Sequence, residues 1–452
     1  MECNCIRRFD GVDNDGLKSA SCCIRFGSGL ECNCESASCC IRVVIAMGKK
    51  EIDIKALRAQ AEEAFDAEEW DKAADLFGQV KKRLGRDTSG DVHVCLGIAL
   101  ATTGKTVWAI ASYQDALALC DEYETPGIWA DAQYYLGLAY RDLRMGNRTE
   151  HLARAIECFE GALRVLKPED KPAEWATCNF KLAQTYQHIP TGDRVAYLRR
   201  SISCYEAAMR VYTEDDQPQN WAAAMINMGN AFHHMPSGDL VECSRQATEC
   251  YEAALRVYTE EARPSDWAMA QMNLGVLSVE PPGGPTDESL RQGIAYFEAA
   301  LRVYTKQRYP RDWGTLMHNL GNAYRELPTD PGENKQRAID YFQQALTVRT
   351  KWRDAYEWAR TQDDLGWTYA LLTTGDAVAN RRRGITHLQA ALKMYTEKAY
   401  PADYARVQEH LAFAYRDLGE SKAFRDACAN AARAYRAVGM EAMAAKAESE
   451  YV

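Results

Sequence analysis

The chain has 452 residues, 47% of them hydrophobic, with a net charge of -10 and a pI near 5.5. An acidic chain without clustered excess Lys and Arg is a poor match for nucleic acid, so no nucleic-acid partner is expected. No run of about 20 apolar residues occurs, so no membrane-spanning helix is expected either. The short basic runs Lys81-Lys82-Arg83 and Arg381-Arg382-Arg383 read as solvated helix faces.

Residues 1–46 stand apart. ECNC occurs at Glu2 and again at Glu31, SASCCIR at Ser19 and again at Ser36, and eight of the 16 cysteines lie in the first 40 residues. Such thiolate pairs could hold a soft metal. With no histidine, no zinc-finger spacing and no core, however, the segment reads as a disordered low-complexity leader, and Met47 as the start of the folded chain. The apolar stretch from Ile41 to Met47 is short and interrupted by Arg42, so it is not a signal peptide. The start Met47-Gly48 carries Ile52 where a myristoylation signal wants Ser or Thr. The other eight cysteines are scattered singly, as expected of thiols in a reducing, cytoplasmic compartment.

From Ile54 the apolar residues take helical spacing. Residues 47–125 hold two short helix-turn-helix units, the first with Ala61, Ala64, Ala73, Phe77 and Val80 as its core, the second with Leu96-Gly97, Ala109, Tyr113 and Ala116. Ala99 to Thr106, ALATTGKT, fits a permissive P-loop pattern, but it ends a helix rather than following a strand, and Gly104 reads as the turn.

Residues 126–436 hold seven longer units. Trp129, Trp175, Trp221, Trp267, Trp313 and Trp358, with Tyr404 in the same slot, recur at steps of 46, 46, 46, 46, 45 and 46 residues. In most copies a proline stands three residues earlier, at the first helical turn. A second series, Phe159, Tyr205, Tyr251, Phe297, Phe342 and Leu388, marks the second helix of each unit, which in most copies ends in a phrase such as ALRVYT. Between the helices, Pro190 to Asp193 and Pro236 to Asp239 read as loops whose Asp caps the following helix. Pro281 to Pro285 reads as a flexible loop. Residues 437–452 follow Gly439 as a polar capping helix, which a solenoid end needs.

The phrase PQNWAAAMINMGNAF, Pro218 to Phe232, followed by CYEAALRVYTE, resembles the tetratricopeptide repeat, and the elongated form is similar to arrays in bacterial signalling proteins associated with CHAT proteases. The resemblance covers about residues 54 to 436. It implies an all-α fold, a right-handed alpha-alpha superhelix of about nine helical hairpins. It also implies that the first helix of each hairpin lines a concave groove.

Counting from each Trp, offsets 0, 4, 7, 8 and 11 form one helical face and read as core, so offsets 2, 5, 6, 9, 12 and 13 are expected to face a ligand. Offset 6 reads Tyr135, Lys181, Asn227, Asn273, Asn319, Asp364 and His410. The three asparagines resemble the ladders with which some helical-repeat proteins hold an extended peptide, since an amide both donates and accepts. The expected peptide-binding residues are Lys181, Asn227, Asn230, His233, His234, Asn273, His318, Asn319, Asn322 and Arg325. The alternative for offset 6 is a purely structural role in fixing the helix pair. The carboxylate clamp of chaperone-binding repeats is not matched, because its lysine slot holds Phe180, Ile226, Met272, His318 and Asp363. No catalytic set can be specified, His233-His234 lack the spacing of a metal pair, and no cofactor is expected. The reading is a non-catalytic scaffold that binds a peptide or helix of another protein. A regulatory or sensor module of a larger signalling complex is the second reading, and metal binding by the N-terminal cysteines the most remote.

Overall fold

A computed structural model describes the backbone of residues 5–7, 22–25, 31–34 and 37–449 except Ser237, and side chains from Lys50 onward apart from Ile52 and Arg86. Near the N-terminus, β1 (Cys5–Arg7), β2 (Cys22–Arg25) and β3 (Glu31–Cys34) form an antiparallel sheet in that order, with Cys5 opposite Ile24 and Cys22 opposite Cys34. The first helix, α1 (Ala37–Asp66), runs through Met47, so no element begins there. The rest of the expected leader, and the side chains on which thiolate metal binding depends, lie outside the described residues.

The chain divides into two compact units, Met1–Thr191 and Gly192–Val452. After α1 the first unit holds α2 (Trp70–Leu84), α3 (Gly90–Thr102), α4 (Thr106–Leu119), α5 (Pro126–Asp142), α6 (Arg148–Val165) and α7 (Pro172–His188). Helices pair in sequence as α1 with α2, α3 with α4 and α5 with α6. Gly104, at φ 78°, makes the turn between α3 and α4, and Lys105 beside it reaches Asp71. The P-loop-like stretch is therefore a helix end and a turn. The step from the start of α5 to that of α7 exceeds the step from α3 to α5 by ten residues. Eight of these lengthen the helices, because α5 and α6 have 17 and 18 residues against 13 and 14 in α3 and α4.

The second unit opens with α8 (Arg194–Ala208) and continues as five hairpins. These are α9 (Pro218–His233) with α10 (Leu240–Leu255), α11 (Pro264–Val279) with α12 (Asp287–Leu301), and α13 (Pro310–Glu326) with α14 (Pro331–Leu346). The last two are α15 (Ala355–Leu371) with α16 (Ala377–Ala391), and α17 (Pro401–Asp417) with α18 (Ser421–Ala437). A short helix, α19 (Glu441–Ser449), lays Ala444 and Ala447 on Ala431, Ala434 and Tyr435 of α18. From Ala37 onward the fold is all-α, built of repeated helical hairpins. No helix among the described residues is long and apolar enough to cross a membrane.

Five hairpins are closed by the contact of a glycine with a ring: Gly97 with Tyr113, Gly137 with Phe159, Gly229 with Tyr251, Gly275 with Phe297 and Gly321 with Phe342. A Cβ added at Gly229 would stand 2.7 Å from Tyr251, and one at Gly321 would stand 2.6 Å from Phe342, so only glycine lets the helices approach this closely. The rings are fully enclosed, as is Leu388 at the same position of α16. Asp193, Asp239 and Asp376 each accept a backbone N–H of the following helix at 3.0 Å, as N-caps do.

Neighbouring hairpins are tied by residues about one period apart. Arg256 bonds Glu214 at 2.9 and 2.7 Å, Arg302 bonds Glu260 at 3.0 and 2.7 Å, and Arg164 in the first unit bonds Glu122 at 3.0 Å. Each guanidinium also lies over the Trp of its own hairpin, at 5.2 Å for Trp221, 5.1 Å for Trp267 and 5.2 Å for Trp129. Trp129, Trp221 and Trp267 are thus core residues with a cationic lid.

Candidate functional site

Within the second unit, successive first helices touch one another: α11 with α13, α13 with α15, and α15 with α17. The offset-6 residues Asn227, Asn273, Asn319, Asp364 and His410 are all half-buried along these first helices. Of the expected binding residues, Lys181 belongs to the first unit and the other nine to the second. Lys181 is half-buried with its ammonium 5.6 Å from the centre of the Phe180 ring. Burial and the nearby Arg141 pull its pKa below the ordinary lysine range, against the pull of Asp142.

The asparagines have different partners. Asn227 donates to Ala223 O, one turn back in its own helix, at 2.8 Å. Asn230 Oδ1 accepts from the Tyr251 hydroxyl at 2.7 Å and from Asn273 Nδ2 at 3.1 Å, which joins α9, α10 and α11. Asn319 makes no side-chain hydrogen bond among the described residues. Asn322 stands at the offset of Asn230, but the ring facing it is Phe342, which has no hydroxyl, and its buried Oδ1 has no partner. His233 and His234 lie with ring centres 5.0 Å apart at the end of α9, and burial pulls the His233 imidazole below its ordinary pKa. No group of three or more potential metal ligands occurs among the described residues.

Offset 5 differs from expectation. His318 is 1% exposed and Asp363 also 1%, so neither side chain faces a ligand. The cause is lateral packing, since each first helix is covered on this side by the next one. Thr361 on α15 donates its hydroxyl proton to Glu357 O at 2.8 Å, which leaves its oxygen to accept from His318 Nδ1 at 3.2 Å and from Arg349 Nη1 at 2.9 Å. His318 Nε2 then accepts from Asn322 Nδ2 at 3.3 Å, which is the neutral imidazole. Burial pushes its pKa down to about 3, outweighing Asp364 at 3.5 Å. Arg325 donates to Asp364 Oδ1 at 2.8 Å. Burial acts to raise that carboxyl, and Arg325 outweighs it, leaving the pKa at about 2. One helix on, Asp363 accepts from His410 Nδ1 at 2.7 Å and Arg406 Nε at 2.9 Å, and His410 stacks on Trp367 at 4.4 Å.

Thr361, at offset 3, falls outside the expected ligand face, whereas Asp363, Arg406 and Trp367 fall on it by offset without being among the expected binding residues. The signal was present only as a run of polar residues at offsets 5 and 6 of the last repeats. Chemically the surface offers amide donors and acceptors and compensated charges. Nucleophile, base and metal-ligand sets are absent from it among the described residues.

No family model matches the sequence, and no curated protein is similar to it. Among solved structures, the apo form of RapI aligns with a TM-score of 0.57 at 15% identity, over 85% of this chain and 98% of its own. A Rap protein complexed with competence and sporulation factor aligns with a TM-score of 0.47 at 13% identity, over 88% of this chain and 99% of its own. The apo form of the quorum sensor NprR from B. thuringiensis gives 0.45 at 11% identity, over 89% and 98%. At 15% identity the likeness to RapI concerns the fold alone, and it agrees with the hairpins described above: the chain is an array of tetratricopeptide-type helical hairpins.

Proposed function

We propose that the chain works by binding, without catalysis of its own, and holds an extended peptide or a helix of a partner protein against the first helices of the array. The observation that carries this reading is the half-buried amide of Asn319, which makes no hydrogen bond among the described residues while Asn273 at the same offset is engaged with Asn230. An amide left open on a repeated surface suits a peptide unit, which needs one donor and one acceptor whatever its side chain. Asn227, Asn273 and Asn319 form the central column, with Asn230, His233, His234, Asn322 and Arg325 beside it; His318 supports it from beneath. Lys181 offers the same offset in the first unit.

The test starts with capture by the intact chain and mass spectrometry of what is retained, followed by titration with the synthetic segment so identified. Replacing Asn227, Asn273 and Asn319 together by Ala is expected to leave the helical circular dichroism in place and to weaken binding roughly 10-fold or more. Undiminished binding by the folded triple variant would refute the asparagine column.

A further inference from the structure

In three hairpins of the second unit the second helix is followed, three or four residues on, by a tyrosine with a fixed place. Tyr258, Tyr304 and Tyr395 are 3%, 5% and 0% exposed. Their hydroxyls donate to the backbone carbonyls of Gln219, Ser265 and Tyr356 at 3.0, 2.8 and 3.3 Å, each in the first turn of the same hairpin's first helix. In the hairpin of α13 and α14 this position is Arg349. Its guanidinium runs inward, to Thr361 Oγ1 and to Thr315 Oγ1 at 3.1 Å, with Glu357 3.5 Å away. The carbonyl that would receive the tyrosine, Arg311 O, takes the Thr315 hydroxyl instead at 3.2 Å.

A cleft of about 390 Å³ opens at this register, between Pro310, Arg311 and Val348 on one side and Arg353, Asp354 and Tyr356 on the other. Arg311 pairs with Asp354 at 2.9 Å and Arg349 with Glu357, which leaves Arg353, exposed and without an ion pair among the described residues, as the uncompensated charge. Trp352, next in the chain, is 91% exposed.

We propose that this cleft receives a tyrosine side chain of a partner protein, with an acidic residue beside it in the partner sequence held by Arg353. The sister hairpins show what fits the register: a buried phenol ring between the starts of two first helices. The buried guanidinium of Arg349 provides the flat cation on which such a ring stacks, as Arg256 and Arg302 stack on their tryptophans. Glu357, half-exposed at the cleft, can accept a hydrogen bond from the phenol hydroxyl, and Trp352 extends the apolar contact outside it. None of the asparagine-column residues lines the cleft, and the two are joined only through Thr361, whose oxygen both Arg349 and His318 reach.

The probe is the capped peptide Ac-Gly-Tyr-Glu-Gly-NH2, titrated into the full chain and followed by ligand-observed NMR. Saturable binding is expected, with a loss of roughly 10-fold or more when the peptide's Tyr becomes Ala and a smaller loss when its Glu becomes Lys. Arg349→Tyr restores the sister residue and fills the cleft, so it is expected to fold and to lose the peptide. Should it fail to fold, Arg353→Glu on the otherwise native chain decides, because it must weaken the Tyr-Glu peptide. No saturable binding up to millimolar peptide, equal affinity for the Ala peptide, undiminished binding by folded Arg349→Tyr, or undiminished binding by Arg353→Glu would each overturn the proposal.

Discussion

Arg256 lies over Trp221, its guanidinium 5.2 Å from the ring centre, while the same group grips Glu214 with two hydrogen bonds. The tryptophan is 8% exposed, so its inner face meets the hairpin core and its outer face meets a cation. Trp221→Ala removes the whole filling and is expected to cost about 3 to 5 kcal/mol. Arg256→Ala, which removes an exposed lid, is expected to cost much less. Urea denaturation of both variants followed by circular dichroism checks the order, and a Trp221→Ala protein as stable as wild type would remove the tryptophans from the core.

The single 45-residue step, from Trp313 to Trp358, has a structural counterpart in the loop between α13 and α14. The equivalent loops turn at Gly192, Gly238 and Gly375, all with positive φ, whereas here Asp330 takes the left-handed conformation at φ 46° and does not cap α14 with its side chain. A non-glycine residue held there costs about 1 kcal/mol or more. Asp330→Gly is therefore expected to stabilise the protein, by somewhat less than that because glycine also loosens the unfolded chain. Calorimetry measures it, and a lower Tm would show that the aspartate side chain contributes more than its backbone loses.

His318 makes stability depend on pH. Its pKa falls from the ordinary 6.5 to about 3 in the fold, so below 6.5 the unfolded chain takes up a proton that the folded chain refuses. The contribution is constant above pH 6.5 and stability declines below it, by about 2 kcal/mol on reaching pH 5. Asp364 acts in the same direction lower down: its carboxyl sits at about 2 against an ordinary 3.8, and the stabilisation it gives above the ordinary value is lost as pH falls through 2. Unfolding free energies between pH 7 and 5 are expected to fall more steeply for the native chain than for His318→Gln. Equal slopes would mean that the imidazole is not held neutral.

The hairpins were legible in the sequence because their marks are local and repeated. Proline at the helix start, tryptophan one turn in, Gly229 against Tyr251 and the capping Asp239 each act within a single hairpin, at spacings fixed by helical geometry. What escaped acts sideways. A helical wheel gives a first helix an inner face and an outer one, and takes no account of the next first helix lying against it. Asp363 finds His410 47 residues away and His318 finds Thr361 43 residues away, so residues assigned to an open surface are closed in. Arg349 was visible as an arginine where the sister sequences have tyrosine, yet its meaning appears only once the vacated register is seen in space.

The ties between neighbouring hairpins suggest how such a chain can grow. The Arg–Glu bonds of Arg164, Arg256 and Arg302 span 42 residues and the tyrosine latches of Tyr258, Tyr304 and Tyr395 span 39, both shorter than the repeat itself. A duplicated stretch of one period would carry its own arginine and tyrosine and present a fresh glutamate to whatever follows. Gain or loss of such a module by recombination thus leaves these joints with their partners, whereas exchanging the Arg349 hairpin for a sister would close its cleft.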